Sequence, residues 1–308
     1  MPRTAMSARA RGGFSMVEIM VALVLLGIVC GGIMTVIMRQ QTFYRSATDV
    51  IDTRQQIRQA TTVVPVDLRG ISTVGGDIIS MSDSSLSVRA NIGSGIVCSH
   101  TPSQITIPPT TIANGRVFTS FLTRPQARDV ILVFNDSTPG NQDDTWQAVT
   151  ITSVDSTLVG CTLFTDVAAD AAKYRYVYNV SPNLSTLIVN GAPVRFARRS
   201  KYAIYKSASD NLWWLGYLEC RGDGSSCDPS IQAVSGPYRP YVANDTLNSG
   251  ISFVYRDLAN NVTNVPANVA RIEMFVHGQT QTAVSLGGGT AAPYRDYQKV
   301  TIAIRNRQ

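Results

Sequence analysis

The twenty positions 19–38, IMVALVLLGIVCGGIMTVIM, contain no charged residue. At a rise of about 1.5 Å per residue they make a helix about 30 Å long, the thickness of a bilayer hydrocarbon core. A helix in a soluble core is seldom apolar on every side for that length. Beyond the run the pattern becomes one-sided. Phe43, Ala47, Val50, Ile57, Val64 and Leu68 recur at spacings of three, four or seven, with Arg54 and Thr61 in the same stripe. Arg39, Arg45, Asp49, Asp52 and Arg58 occupy the other faces. The pattern predicts either two helices or one helix over 14–64, about 75 Å long. Pro65 should end or kink it, although the stripe reaches Leu68.

From Gly70 the period shortens to two. Short β-like runs lie at 130–134 (VILVF), 148–152 (AVTIT) and 174–180, and apolar residues alternate with polar ones at 271–277 and 300–305. Turn residues punctuate them at Asn135-Asp136, Pro139-Gly140, Ser209-Asp210-Asn211, Asp223-Gly224 and Gly287-Gly288-Gly289. No long amphipathic helix interrupts the strands, so the sheets should be antiparallel. The predicted class is α+β: a long N-terminal transmembrane and amphipathic helix packed on a large antiparallel β-rich head, in one lobe or two.

Composition narrows the setting. Charged residues are only 16% of the 308, which suits an envelope or secreted protein. Of the 27 basic residues, Arg3, Arg9 and Arg11 precede Gly13, where no acid occurs, leaving 24 basic against 21 acidic residues beyond it. The basic pI is therefore partly a targeting signal, and nucleic acid is not an expected partner. By the positive-inside rule those arginines keep the N-terminus cytoplasmic and send the rest across. No small-residue cleavage site follows the apolar run, as a secretory signal would require; Gly12 and Gly13 precede it instead. Glu18 is a lone carboxylate at the edge of the run, and an acid in that position is costly unless paired.

Gly13-Phe14-Ser15-Met16-Val17-Glu18 resembles the prepilin processing motif, Gly-Phe-Thr/Ser-Leu-Ile/Val-Glu followed by an apolar helix; Met16 replaces the usual Leu. The resemblance implies cleavage by a prepilin peptidase between Gly13 and Phe14, N-methylation of Phe14, and a role for Glu18 in assembly. It divides the chain into a leader at 1–13, a pilin-type helix at 14–69 and a periplasmic or extracellular head at 70–308. The implied partners are the membrane through 19–38, other pilin or pseudopilin subunits and an inner-membrane assembly platform. Asp67-Leu68-Arg69-Gly70, a hairpin at 202–218, ISFVYRD at 251–257 and a final strand ending Ile304-Arg305-Asn306 are similar to larger minor pilins, the W-type pilin and the J-type pseudopilin of type II secretion. The implied function is a non-enzymatic filament subunit. A tip adhesin or DNA-binding module on the same scaffold and a membrane-anchored enzyme are the alternatives.

Cys98, Cys161, Cys220 and Cys227 lie outside the apolar run, and an even number there suits two disulfides in an oxidising compartment. Cys220–Cys227 would close a loop around Gly222-Asp223-Gly224, which leaves Cys98–Cys161 by exclusion. Four free thiols are the other reading, and zinc spacing is absent. No cofactor is implied. Asp136, Asp143 and Asp144 surround a turn with oxygen ligands of the kind calcium needs, without EF-hand spacing. No catalytic residue is assigned: GxSxG, Walker A, HExxH and dinucleotide motifs are missing, and a Cys98–His100 nucleophile would have no orienting carboxylate nearby. His277 ends an alternating run and should be an edge or surface residue. Arg195, Arg198, Arg199 and Lys201, interleaved with Phe196 and Tyr202, form a basic cluster best read as a solvated strand edge.

Overall fold

The computed structural model describes residues 13, 15–73, 75–112, 115–136, 145–158, 161, 170, 172–220, 227–285 and 290–304. A single helix, α1 (Met16–Leu68), is followed by β1 (Ile78–Met81), β2 (Ser85–Ile96), β3 (Ser99–Thr101), β4 (Gln104–Ile107), β5 (Ser120–Phe121), β6 (Val130–Asn135) and β7 (Thr145–Thr157). Then come β8 (Arg175–Ser181), β9 (Pro193–Lys206), β10 (Trp213–Glu219), β11 (Gln232–Tyr238), β12 (Ile251–Arg256), β13 (Arg271–Val284) and β14 (Ala292–Ala303). The fold is α+β, a long apolar N-terminal helix and a large antiparallel sheet head.

The chain forms two compact units: Met1–Ile51 with Thr280–Tyr294, and Asp52–Gln279 with Arg295–Gln308. In the first, α1 is exposed from Met16 to Arg45. Its threonine hydroxyls are satisfied within the helix, as Thr35, Thr42 and Thr48 donate to the carbonyls of Gly31, Met38 and Tyr44. Thr35, the hydroxyl inside the apolar run, thus needs no water, a condition for a helix in lipid. Beyond the helix, Thr282 donates its hydroxyl proton to Asp49 and the Tyr294 N–H donates to Thr280 Oγ1 at 2.9 Å.

In the second unit the one-sided stripe of α1 is buried. Ile57, Ala60, Val64 and Leu68 join one hydrophobic core with Leu86, Tyr202, Leu215, Phe253, Ile272, Met274 and Val276. The helix runs through Pro65 to Leu68 rather than stopping before it. A proline inside a helix costs about 3 kcal/mol. Burial of Val64, Leu68 and Ile71 around it, at about 1.5–3 kcal/mol per large side chain, offsets that cost.

A fourteen-stranded sheet carries the head, with path β12-β13-β11-β10-β9-β6-β7-β8-β4-β3, β1 and β5 on β2, β2 on β9, and β14 on β13. β9 is its spine. One edge pairs with β2 along nearly its whole length; the other pairs first with β6, through Val194–Ala197, and then with β10, through Ser200–Lys206. Tyr202 and Ile204 of β9 enter the core under α1. Val194 and Phe196 enter a second core with Ile105, Ile107, Ile131, Val149 and Tyr178.

α1 comes close to the sheet at Gly278 of β13. A Cβ there would lie 2.8 Å from both Ile57 Cδ1 and Thr53 Cγ2. We expect Gly278→Val to force the helix off the strand and destabilise the head by about 1–3 kcal/mol, read as a lowered midpoint in urea unfolding of the detergent-solubilised chain. An unchanged midpoint would show that this seam does not hold the helix.

Candidate functional site

The N-terminal end of α1 carries the motif residues. Gly13 and Glu18 are both exposed, and Phe14 lies outside the described residues. The Ser15 N–H donates to Glu18 Oε2 at 3.0 Å, while the Glu18 N–H donates to Ser15 Oγ at 3.2 Å. This reciprocal pair is a capping box, which satisfies two of the donors that every helix start leaves open. Ser15 was not singled out from the sequence, although the Ser-x-x-Glu spacing ahead of an apolar run is its signature. The Glu18 carboxylate thus has a partner within its own helix, and that partner is neutral.

Past Glu18, an eighteen-residue apolar stretch of α1 has none of its surface buried. Met16, Val17, Met20, Leu23, Val24 and Ile28 are all more than 60% exposed, so no protein surface accounts for their apolar character. A bilayer does. Residues 8–34 match the family model of the prokaryotic N-terminal methylation motif. Over those residues the chain resembles the type IV pilins. The long helix behind that motif and the β-rich head agree with the likeness; no curated protein and no solved structure matches the chain.

In the head the cysteines are paired, Cys98 with Cys161 and Cys220 with Cys227. Cys30 in the apolar stretch is free. With Cys98 in a disulfide, no Cys98–His100 nucleophile exists; His100 Nδ1 sits 3.3 Å from Asn190 Oδ1. Of the proposed calcium ligands, Asp136 is exposed just after β6, and Asp143 and Asp144 lie outside the described residues. Among the described residues no three His, Cys, Asp or Glu side chains gather as a metal site.

The basic cluster is not a strand edge. β9 is paired on both sides, and two of its cations, Arg195 and Arg198, are held by carboxylates, while Lys201 is half-exposed. Arg198 bonds both oxygens of Asp129, at 2.8 and 2.7 Å, and reaches Glu219 at 3.0 Å. Asp129 is 1% exposed. Arg195 pairs with fully buried Asp77 at 3.1 Å, and Arg199 donates to Ser87 Oγ at 3.3 Å. Arg195 and Arg198, committed in this way, are not available to track a phosphate backbone, which weakens the basic cluster as a DNA-binding surface. The Tyr202 hydroxyl donates to Asp67 Oδ2 at 2.6 Å, joining the end of α1 to β9. Burial and the neighbouring Asp67 carboxylate both push that phenol upward, so it stays protonated.

His277 is likewise not a surface residue. It is 8% exposed, stacks on Tyr297, and its Nδ1 lies 2.9 Å from the Ser249 carbonyl, which fixes the proton there. Burial lowers its pKa below 6.5; the Ser249 carbonyl and Asp245 oppose the shift, and Arg239 reinforces it. The folded state therefore holds fewer protons than the unfolded chain below pH 6.5, and stability falls as the pH drops through that value, levelling off below the folded pKa. Burial raises the Glu273 carboxyl, but bonds to Lys299 and Arg256 outweigh it and leave the net shift downward. The Glu273 contribution is consequently lost only as the pH falls below 4.5, a separate window. Urea midpoints should drop between about pH 7.5 and about pH 5 in the wild type and change less in His277→Gln. Equal pH dependence in the two proteins would remove His277 as the cause.

Proposed function

We propose that the chain is made as a prepilin and works as a non-enzymatic minor pilin or pseudopilin in a type IV pilus-like filament. The observation that carries this reading is the division of labour along one helix. The methylation motif leads directly into apolar surface that the protein leaves uncovered, and the same helix then packs its stripe into the head core. A signal sequence would have no reason to continue into the core of the mature domain.

In this reading residues 1–13 are the leader, 14–69 the pilin helix and 70–308 the head. A prepilin peptidase cuts after Gly13, Phe14 becomes the methylated N-terminus, and the subunit waits in the inner membrane with its head in the periplasm. The two disulfides suit that oxidising side. Assembly proteins then move it into the filament beside other subunits. With 295 residues after Gly13 the head is bulky, and a bulky head packs poorly along an extended filament. That favours a rare subunit that initiates or caps over one that repeats along the shaft.

Glu18 takes the assembly role. Subunit anchors packed together exclude water, and a carboxylate buried there needs a cationic partner. The amine freed at Phe14 of an adjacent subunit supplies one, and any other axial offset leaves both charges unpaired.

Mass spectrometry of the membrane-extracted protein should find residues 1–13 removed and a methylated Phe14. An intact chain beginning at Met1, in cells with active prepilin peptidase, contradicts the prepilin reading. Glu18→Ala and Glu18→Gln should both be cleaved and inserted normally, yet be depleted about tenfold or more from sheared filaments, as expected for losing a buried charge pair. Normal incorporation of both variants would end the charge-pair mechanism and leave the processing result standing.

A further inference from the structure

Between α1 and the β10–β11 pair lies an open cleft of about 300 Å³, lined by Asp52, Gln55, Gln56 and Gln59 from the helix and by Trp214 and Gly236 from the strands. Its aromatic wall is fixed from two sides. The Trp214 indole N–H donates to Asp210 Oδ2 at 3.0 Å. Gly236, at φ 138, lets β11 pass so close that a Cβ there would sit 3.0 Å from Trp214 Cε3. Gln59 braces the opposite wall by donating to the Val234 carbonyl at 3.0 Å. Among the described residues the side chains of Asp52, Gln55 and Gln56 bond to no other protein group, so their hydrogen-bonding capacity faces the cleft and solvent.

We propose that this cleft binds a single pyranose ring of a neutral saccharide. A fixed, half-exposed indole offers an apolar face for the C–H side of a sugar, with its N–H already satisfied elsewhere. Each glutamine brings two N–H donors and a carbonyl acceptor, and the carboxylate of Asp52 adds acceptors only. Vicinal hydroxyls use both kinds of group. A cation would use the acceptors alone and leave the amide donors facing its charge, and an anion would meet Asp52. A cleft of this volume accepts one hexose and little more.

The test uses the full chain in dodecylphosphocholine micelles, a detergent without a sugar headgroup. Methyl β-glucoside, methyl α-mannoside and N-acetylglucosamine serve as probes, followed by saturation-transfer NMR and titration. At least one should bind saturably, with a Kd on the order of 1–10 mM, as expected for a small ligand in an open site. Trp214→Ala and the double variant Gln55→Ala, Gln56→Ala should each weaken it about tenfold or more. Trp146→Ala, which changes an exposed indole on β7, should leave it unchanged. The double variant alters only the surface of α1, so it decides the matter if Trp214→Ala does not fold. No saturation by any probe up to about 100 mM overturns the proposal. So does saturable binding that survives the double variant, or absence of binding together with disulfide cross-linking between two copies of Gln55→Cys through the cleft. The measurement is made on unassembled subunits, so its failure leaves the filament reading untouched.

Discussion

The core beneath α1 depends on the seam formed by Ile57, Ala60, Val64 and Leu68. These four are at most 3% exposed, and at spacings of three and four they make one continuous face of α1. β13 meets that face with Gly278, bringing helix and strand closer than any side chain would permit. The strands under α1 have their core completed by the helix, and without it Ile272, Met274 and Val276 would lose the cover on that side. Isolated helical turns are marginal in water, so the end of α1 equally needs the sheet. Each element supplies the other's missing half.

A second constraint follows from β9. It contributes to both cores and is paired on both edges, and of its basic side chains Arg198 is buried while Arg195 and Arg199 are half-buried. Their charges are met on the spot by Asp77, Asp129, Glu219 and the Ser87 hydroxyl. Removing one partner from such a pair is far more damaging than the pair is worth in stability, because the survivor stays buried and charged. The ion pairs therefore act as register marks: Arg198 meets Asp129 only where β6 and β9 are aligned as they are, with Val130 opposite Ala197.

How much of this could be read in advance depended on how local the signal was. The uninterrupted run at 19–38, the stripe through Leu68 and the alternation at 271–277 are properties of neighbouring residues, and each corresponds to an element of the fold. What the alternation could not reveal was that β13 is covered on both faces. Glu273 and His277 occupy the polar phase of the pattern, yet both are buried, Glu273 between Arg256 and Lys299 and His277 against Tyr297. Arg195 and Arg198 misled for the same reason. Their partners, 118 and 69 residues away, come from pairings that no local pattern encodes. Pro65 misled in the opposite sense, because a strong local rule was overridden by packing around it. Ser15 was legible from its spacing to Glu18 alone, and the prominence of the glutamate concealed it.

That last pair bears on how a carboxylate can be tolerated at the head of an apolar helix. An unpaired charge at membrane depth costs several kcal/mol. Accepting the Ser15 N–H reduces this cost, because a helix start offers partial positive charge and an open donor at the position where Glu18 can fold back. The arrangement is stable but not saturated, since a carboxylate can accept several more bonds than the single N–H it receives here. In the proposed filament a cationic amine would compete for the same oxygens, and a charged donor makes a bond roughly twice as strong as a neutral one. The capping box is then the state in which an unassembled subunit can wait. In the proposed mechanism it would satisfy Glu18 partly, leaving a correctly placed neighbour's amine as the stronger partner.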